Sequence, residues 1–255
     1  MKLIINADDF GLCPGQNLGI QSAHRHGIVT SASIMANGRS FEEAVAIASE
    51  NPMLAIGIHL VLSSGKPVLP TNEVGSLINI DGNFRKFKDK KHIDADLTEV
   101  EKEWRAQIEK ILAHGIKPDH LDGHHHLHLH PDTFEITLKL AKEYKLPIRW
   151  IPGKDPMHEK ELMKQYQVKD VYCLHDFFKD GVSNDYFIHF IGLHEHLDQD
   201  AFEVMCHPAY LDPYILTHSK YTLYRVKELG VLTDQSVREA LAQHNIELTT
   251  YKQFG

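Results

Sequence analysis

Apolar runs that alternate with helical segments limit the fold of this chain more than any other feature of its sequence. The strand candidates, which are short runs of apolar or β-branched residues, are 2–6, 29–35, 55–62, 120–126, 146–152, 171–174, 203–208 and 246–251. The helix candidates, which carry apolar residues at helical spacing, are 14–26, 40–50, 97–115, 132–144, 220–229 and 234–243. Repeated strand-then-helix units predict a parallel sheet covered by helices. About seven or eight units in 255 residues predict an α/β fold closed as a (β/α) barrel, in which chemistry lies where strands end and loops begin.

Residues 63–95 interrupt this alternation. The segment is rich in Gly, Pro, Asn, Asp and Lys, and Asp81–Gly82 is a hairpin turn signal. A connection of this length is more often an active-site lid than a plain linker. Because no change of composition marks a second domain, we predict one domain over 1–255 with a lid-like insertion at 63–95.

The composition excludes several classes of protein. The net charge is −8, from 27 basic and 35 acidic residues, whereas a nucleic-acid surface needs clustered positive charge. No stretch approaches the roughly 20 apolar residues of a membrane span, and the N-terminal apolar run is too short for a signal peptide. The three cysteines form no CxxC pair, which favours a reducing compartment. We therefore expect a cytoplasmic protein that binds neither nucleic acid nor a membrane.

Two adjacent carboxylates, Asp8 and Asp9, directly follow the first strand candidate. They repel each other and are costly to bury without a cation. A metal ion would resolve this, with one carboxylate as its ligand and the other free as a base. The alternative is an exposed turn in which an aspartate caps the following helix.

A single histidine, His59, lies inside the apolar strand candidate 55–62. Alternation along a strand places it on the same face as small residues such as Gly57, which leaves room beside the imidazole. The alternative is a core histidine that bonds to a backbone carbonyl.

Five of the 19 histidines crowd into the segment 124–130. Imidazole is the commonest metal ligand at neutral pH. If 120–126 is extended, alternate residues including Asp122 and His124 share one face, and His125 points the other way. We expect one or two of these histidines to bind a metal and the others to orient each other or line a polar crevice. Asp122 would fix the tautomer of a ligand.

Two further polar residues lie at the ends of strand candidates. His207 can act as a general acid, because the pKa of histidine lies near neutrality. Its neighbour Cys206 would point to the opposite face, so we expect no Cys-His dyad. Arg149 either pairs with Asp8 and keeps it ionised, or forms a surface salt bridge.

Four motifs, taken in order, resemble the YdjC-type carbohydrate deacetylases, a family that includes the chitooligosaccharide deacetylases. The motifs are NADDFG at 6–11, GIHL at 57–60, LDGHHHLH at 121–128 and EVMCHP at 203–208. The resemblance runs nearly end to end, with GKPV at 65–68 and VLT at 231–233. It implies a distorted (β/α) barrel related to the polysaccharide deacetylases, and a homodimer.

The resemblance also implies the residues of a site with one divalent metal ion per chain. These residues are Asp9, His59 and His124 for the metal, with Asp8 as base. His207 and Arg149, placed at strand ends by the sequence pattern, complete the expected catalytic set. Two imidazoles and a carboxylate suit zinc, cobalt or iron, whereas the family points to magnesium, and we expect either Mg²⁺ or Zn²⁺. Gly123 stands where the LDSHHH form of the motif has serine, which puts one hydrogen bond near the metal in question.

The expected function is removal of N-acetyl groups from acetylated sugars or short oligosaccharides, with release of acetate. One alternative is a metal-dependent phosphoesterase or another amidohydrolase on the same barrel. A second alternative is a sugar-binding or metal-binding protein without turnover. In the insertion, Phe84 and Phe87 would offer a surface to the apolar face of a pyranose, or would pack beneath the loop or at a dimer contact.

Overall fold

A computed structural model describes residues 1–86, 92–197, 199 and 201–254. The strands are β1 (Lys2–Phe10), β2 (Ser31–Ile34), β3 (Ala55–Leu60), β4 (Leu121–Gly123), β5 (Ile148–Trp150), β6 (Asp170–Leu174), β7 (Ala201–Cys206) and β8 (Glu247–Leu248). The helices are α1 (Pro14–His26), α2 (Phe41–Glu50), α3 (Leu97–Ala113), α4 (Pro131–Tyr144), α5 (Pro156–Tyr166), α6 (Asn184–Ile188), α7 (Phe190–His194), α8 (Pro213–His218), α9 (Leu223–Leu232) and α10 (Gln235–Gln243). None of the helices in the described ranges is long and apolar enough to cross a membrane.

Seven parallel strands close into a barrel. Strands β2 to β7 lie in chain order, and β1 completes the ring by pairing with β7 on one side and β2 on the other. Strand β8 pairs only with the start of β1, so the ring is irregular at this strand. The predicted distorted (β/α) barrel is confirmed, and the carboxyl ends of its strands all lie at one mouth.

The backbone departs from the expected extended conformation within 120–126. Strand β4 ends at Gly123, and a 3-10 helix (His124–Leu129) follows, in which φ is 55° at His125 and 56° at His126. Left-handed backbone at two successive residues ends the side-chain alternation of an extended strand. The assumption that 120–126 is extended is therefore wrong beyond Gly123.

Other departures occur where the sequence carries little periodicity. Helix α5 buries only Met163, and helices α6 and α7 have five residues each, so none of the three shows a clear helical stripe. The last predicted strand shrinks to the two residues of β8, and a 3-10 helix over Tyr251–Gln253 follows it.

The barrel interior is polar toward its mouth. Along β1, Leu3, Ile5 and Ala7 belong to the large core beneath the helices, whereas Asn6 and Asp8 bond to polar partners inside the ring. The other buried polar residues on the barrel strands are Asp9, Ser31, Ser33, His59, Asp122, Arg149 and Glu203. Such groups are costly to bury unless they are paired, so this end of the barrel is the candidate site.

Tyr251 closes the opposite end of the barrel. Its ring packs with Ile4 and Val171, and it stacks on the imidazole of His120 with ring centroids 3.9 Å apart. Its hydroxyl donates a hydrogen bond to Glu203. The 3-10 segment near the C-terminus therefore seals the barrel and bonds to its polar interior.

The described part of the insertion is fixed to the barrel. Gly82 has φ of 73° and forms the predicted hairpin turn, and Glu103 of α3 accepts hydrogen bonds from two backbone N–H groups of the segment. Phe84 is 5% exposed and belongs to the main core, so its ring packs beneath the loop. Phe87 lies outside the described residues.

Packing at Gly57 gives the first prediction. A Cβ atom built on this residue would lie 2.0 Å from Cε1 of His120, so the imidazole occupies the room that the small residue leaves. We expect Gly57→Ala to lower the free energy of unfolding by about 1–3 kcal/mol, the usual cost of overpacking. Urea unfolding followed by circular dichroism measures this change.

The matched control is Gly230→Ala on α9, where an added Cβ meets no atom within 4 Å. Alanine favours a helix interior over glycine by about 1 kcal/mol, so this variant should be as stable as the parent protein or more so. Identical unfolding midpoints for Gly57→Ala and the parent protein would contradict the packing described above.

Candidate metal centre and active site

Asp8 and Asp9 both reach the mouth of the barrel because β1 is irregular at its end. Neighbouring residues of a strand normally face opposite sides. Here Asp9 has φ of 64°, in the left-handed region, and the β1–β2 register shifts between Ala7 and Phe10. This bulge brings both carboxylates into one site, where they are 3% and 1% exposed.

Three side chains from three strands point donor atoms at one position. Asp9 lies near the end of β1, His59 lies near the end of β3, and His124 directly follows β4. Oδ1 of Asp9 lies 2.9 Å from Nδ1 of His124 and 3.6 Å from Nε2 of His59. The donor atoms of the three residues all lie within 4.8 Å of one another. Ligands at about 2.0–2.2 Å from a metal ion are roughly 3–3.5 Å apart, so this spacing suits one divalent cation.

The hydrogen bonds around these donors hold the atoms that face away from the metal position. Oδ2 of Asp9 accepts a hydrogen bond from Arg225 at 2.9 Å, whereas its Oδ1 is buried and faces the imidazoles of His124 and His59. Nδ1 of His59 lies 2.8 Å from Oδ1 of Asp122 and donates to it, which leaves the lone pair of Nε2 available. A carboxylate that fixes the tautomer of a metal-binding histidine is the usual arrangement. The residues present therefore fit a bound divalent cation.

The electrostatics of the site favour a cation at the same place. Burial lowers the pKa of His59, but the carboxylates of Asp122 and Asp8 raise it to about 10. Burial also raises the pKa of Asp9, yet its cationic neighbours hold that pKa well below the usual range. The ionised carboxylates therefore favour a positive charge at this position. Metal binding would release the proton of His59.

Arg149 contacts three carboxylates inside the barrel. Its fully buried guanidinium donates to both oxygens of Asp8, from Nη1 at 2.7 Å and from Nη2 at 2.5 Å. Nε donates to Glu203 at 2.9 Å, and Nη2 lies 2.7 Å from Asp122. Burial raises the pKa of Asp8, but the guanidinium outweighs it and keeps this pKa below its ordinary value. Of the two alternatives that the sequence left open for Arg149, the structure shows the buried pair with Asp8.

A second set of possible metal ligands consists of Asp8, His59 and Asp122. Its two carboxylates already bind the guanidinium of Arg149. A metal cation placed among them would lie close to this positive charge and would be repelled by it. The set that contains Asp9 is therefore the better candidate.

His207 faces Asp8 from the far side of the site. Its Nε2 lies 4.0 Å from Oδ2 of Asp8, and its side chain is 15% exposed. Its backbone N–H donates to the buried Glu228, and its Nδ1 lies 3.8 Å from Oε1 of that residue without a hydrogen bond. Glu228 therefore holds the backbone of His207 and places a carboxylate oxygen near its imidazole. The thiol of Cys206 bonds to the carbonyl of Asn6, so the two neighbours form no dyad, as predicted.

Among the described histidines between 120 and 130, only His124 belongs to a set of possible metal ligands. The others that bond elsewhere include His120, His125 and His128, whose respective partners are Asp119, Ser63 and the backbone carbonyl of Arg149. A Cβ on Gly123 would lie 3.0 Å from Nδ1 of His128. A serine at this position would therefore require His128 to shift.

Sequence patterns did not single out Arg225, Gln16 or Glu228. Arg225 donates to Asp9 at 2.9 Å and to Gln16 at 2.6 Å, and Gln16 donates to the backbone carbonyl of Asp8 at 3.0 Å. Through these bonds, α9 and α1 hold the irregular end of β1 in place. The available signal was two charged residues, Arg225 and Glu228, on the buried face of an otherwise amphipathic helix.

Comparison with known proteins identifies proteins that are similar to this chain. A family model described as YdjC-like protein matches residues 2–243. A protein of Brevibacillus brevis named carbohydrate deacetylase is 42% identical and is covered over 100% of both chains. A protein of the same name from Geobacillus stearothermophilus is 39% identical over 98% of this chain and 97% of its own. A solved structure from Enterococcus faecalis, described as a candidate for cellobiose-phosphate cleavage, superposes with a TM-score of 0.91 at 35% identity and covers 100% of this chain and 98% of that one.

The donor geometry predicts how metal content responds to substitution. We expect His59→Ala and His124→Ala each to lose most of the bound metal, because each removes one of three converging donors. His125→Ala is the matched control, since its Nδ1 bonds to Ser63 outside the donor set. Plasma emission spectrometry of purified, dialysed protein measures the metal-to-protein ratio. A full site in His124→Ala together with an empty one in His125→Ala would show that the donors are wrongly assigned.

Proposed function

The chain belongs to the YdjC-like protein family, and on that premise we propose that it is a divalent-metal-dependent carbohydrate deacetylase. It would hydrolyse the N-acetyl group of acetylated sugars or short oligosaccharides and release acetate. The observation that carries this proposal is the convergence of Asp9, His59 and His124 beside a separate carboxylate and a facing histidine. The names of the relatives supply the class of substrate.

The base in this proposal is Asp8. When held by Asp9, His59 and His124, a divalent ion such as Mg²⁺ or Zn²⁺ would polarise the amide carbonyl and make a nearby water more acidic. Asp8 would accept a proton from that water as the water oxygen bonds to the acetyl carbon. Its lowered pKa keeps it ionised at neutral pH and therefore ready to accept a proton.

The acid in this proposal is His207. Its Nε2 lies 4.0 Å from Oδ2 of Asp8, so the base and the acid border the same part of the site. As the carbon–nitrogen bond breaks, Nε2 would donate its proton to the departing amine. The products are then acetate and a free amino sugar.

Arg149 acts in this proposal as a positioning residue. Its side chain is fully buried and contacts no solvent, so it does not reach a substrate. The paired bonds to Asp8 fix the direction of that carboxylate, and precise orientation of a reacting group can contribute several kcal/mol to catalysis.

The alternative functions find less support. A phosphoesterase commonly uses cationic side chains to bind the phosphoryl oxygens. The two arginines of the described site, Arg149 and Arg225, are both bound to carboxylates. A protein that only binds a sugar or a metal needs no ionised carboxylate such as Asp8 beside its ligand set.

Two expectations stay predictions. The insertion at 63–95 begins directly after the strand end that carries His59, and Ser63 bonds to His125 at 2.8 Å, which supports a place for it at the entrance of the site. Its motion as a substrate lid, and the homodimer, rest on the sequence and on the resemblance alone.

The first test of the function is acetate release from N,N′-diacetylchitobiose. Protein stripped of metal should release no acetate, and addition of Mg²⁺ or Zn²⁺ should restore release, because the donor set requires a divalent ion. The ion that restores the higher rate identifies the better cofactor. An enzymatic acetate assay measures the product.

Two results would favour the alternatives. Release of phosphate from 4-nitrophenyl phosphate without acetate release from any acetylated sugar would favour a phosphoesterase. Binding of the sugar by calorimetry with no product at any metal concentration would favour a binding protein.

The role of His207 is tested with two leaving groups. His207→Ala should slow release of acetate from diacetylchitobiose by about 10²–10⁴-fold, the usual effect of losing a general acid. Hydrolysis of 4-nitrophenyl acetate should fall far less, because a nitrophenolate departs without protonation. Equal losses on both substrates, with metal still bound, would mean that His207 positions the substrate and does not protonate it.

A further inference from the structure

The proposed reaction determines on which side of the site the sugar lies, and the inference below rests on that proposed function. The acetyl carbonyl faces the metal donors at the ends of β1, β3 and β4, whereas the departing nitrogen faces His207 after β7. In an N-acetylated amino sugar, this nitrogen is bonded directly to the pyranose ring. The ring therefore lies beyond His207, near the segments that follow β6 and β7.

Three aromatic rings form a stack in this part of the mouth. Phe178, in the segment after β6, stacks on Tyr221 with centroids 4.5 Å apart and planes 11° apart. Tyr221 stacks in turn on Tyr224 of α9, with centroids 5.4 Å apart and planes 15° apart. The imidazole of His207 meets Tyr221 and Phe178 edge-on, at centroid distances of 5.6 Å and 6.2 Å. The stack thus lies beside the proposed acid.

The hydroxyl groups of the two tyrosines form hydrogen bonds that account for the positions of these residues. The hydroxyl of Tyr221 donates to Glu228, the residue beside His207, and it accepts a hydrogen bond from the backbone N–H of Lys179. The hydroxyl of Tyr224 donates to Asp180 at 3.1 Å. These bonds attach the segment after β6 to α9.

Phe178 has no polar atom in its side chain, so no side-chain hydrogen bond accounts for its place in the stack. Tyr221 covers one face of its ring, and the side chain is only half-buried. The ammonium of Lys179 also lies over the ring, 5.3 Å from its centroid. The side chain of Lys179 is exposed. An exposed cation–π contact is weak, so a ligand can displace the ammonium, which can then bond to a hydroxyl of that ligand.

We propose that Phe178 is the platform on which the pyranose ring of the acetylated sugar unit stacks. The face of an aromatic ring is electron-rich and attracts the slightly positive C–H groups on the apolar face of a pyranose. Ligand sites combine such an apolar surface with a few polar groups that fix orientation. Here His207 and the metal donors fix the amide, and Phe178 fixes the plane of the sugar.

A purely structural Phe178 would only fill space between the segment after β6 and α9. That role needs an apolar volume, which leucine supplies as well as phenylalanine does. A platform needs a flat aromatic face, which tyrosine retains and leucine lacks. Three substitutions at this position therefore separate the two roles.

The experiment measures binding of N,N′-diacetylchitobiose by titration calorimetry to metal-loaded protein that carries Asp8→Asn, so that the sugar is not consumed. In this background, Phe178→Ala and Phe178→Leu should each weaken binding by about tenfold, equivalent to roughly 1.4 kcal/mol, and Phe178→Tyr should keep the parent affinity within about threefold. The control is Tyr172→Leu on β6, another half-buried aromatic residue, which packs against Trp150 and Phe202 and should not change the affinity.

Unchanged sugar affinity in both Phe178→Ala and Phe178→Leu would overturn the proposal, and so would equal losses in the leucine and tyrosine variants or no measurable binding to the Asp8→Asn parent. Melting temperatures of the same proteins show whether the variants stay folded, and only folded variants are compared. Acetate release by the wild-type protein is recorded separately. A wild-type protein that binds the sugar through Phe178 but releases no acetate would refute the deacetylase function and leave the platform intact.

Discussion

The candidate site depends on the contacts that the guanidinium of Arg149 makes inside the closed barrel. The guanidinium contacts the carboxylates of Asp8, Asp122 and Glu203. Glu203 also accepts a hydrogen bond from the hydroxyl of Tyr251 at the opposite end of the barrel, so one polar network connects the sealed end with the mouth. Removal of one member of a buried charge network commonly costs about 3–5 kcal/mol, because the partner charge is left uncompensated. The direction of Asp8 is therefore tied to the stability of the whole interior.

Much of the fold could be predicted from the sequence because its signals are local. Apolar runs and amphipathic segments gave the order of strands and helices, and polar residues at strand ends indicated the mouth where Asp8, His59 and His207 lie. Alternation along β3 was informative in an unexpected way. It predicted room beside His59 on the face that Gly57 shares, and the structure fills that room with the imidazole of His120. A pattern of small residues shows that space exists, but not which distant side chain occupies it.

The features that could not be predicted depend on irregular backbone or on contacts between distant segments. Left-handed φ values at Asp9, His125 and His126 break the alternation from which side-chain directions were inferred. Such conformations cost about 1–3 kcal/mol each and persist only where the surrounding structure enforces them. For Asp9, that structure includes Arg225, which lies 216 positions away in sequence. No local pattern carries this information.

Helix α9 links the two chemical halves of the site. Arg225 and Glu228 are three residues apart, so they lie on the same side of the helix. Arg225 donates a hydrogen bond to the oxygen of Asp9 that faces away from the metal position. Glu228 accepts a hydrogen bond from the backbone N–H of His207 and lies near its Nδ1. In the proposed amide hydrolysis, the metal donors and the acid have to reach the oxygen and the nitrogen of the same amide. Misplacement by about 1 Å can cost 10²-fold in rate. A rigid helical turn fixes the positions of Arg225 and Glu228 relative to each other, and through them it holds Asp9 and His207.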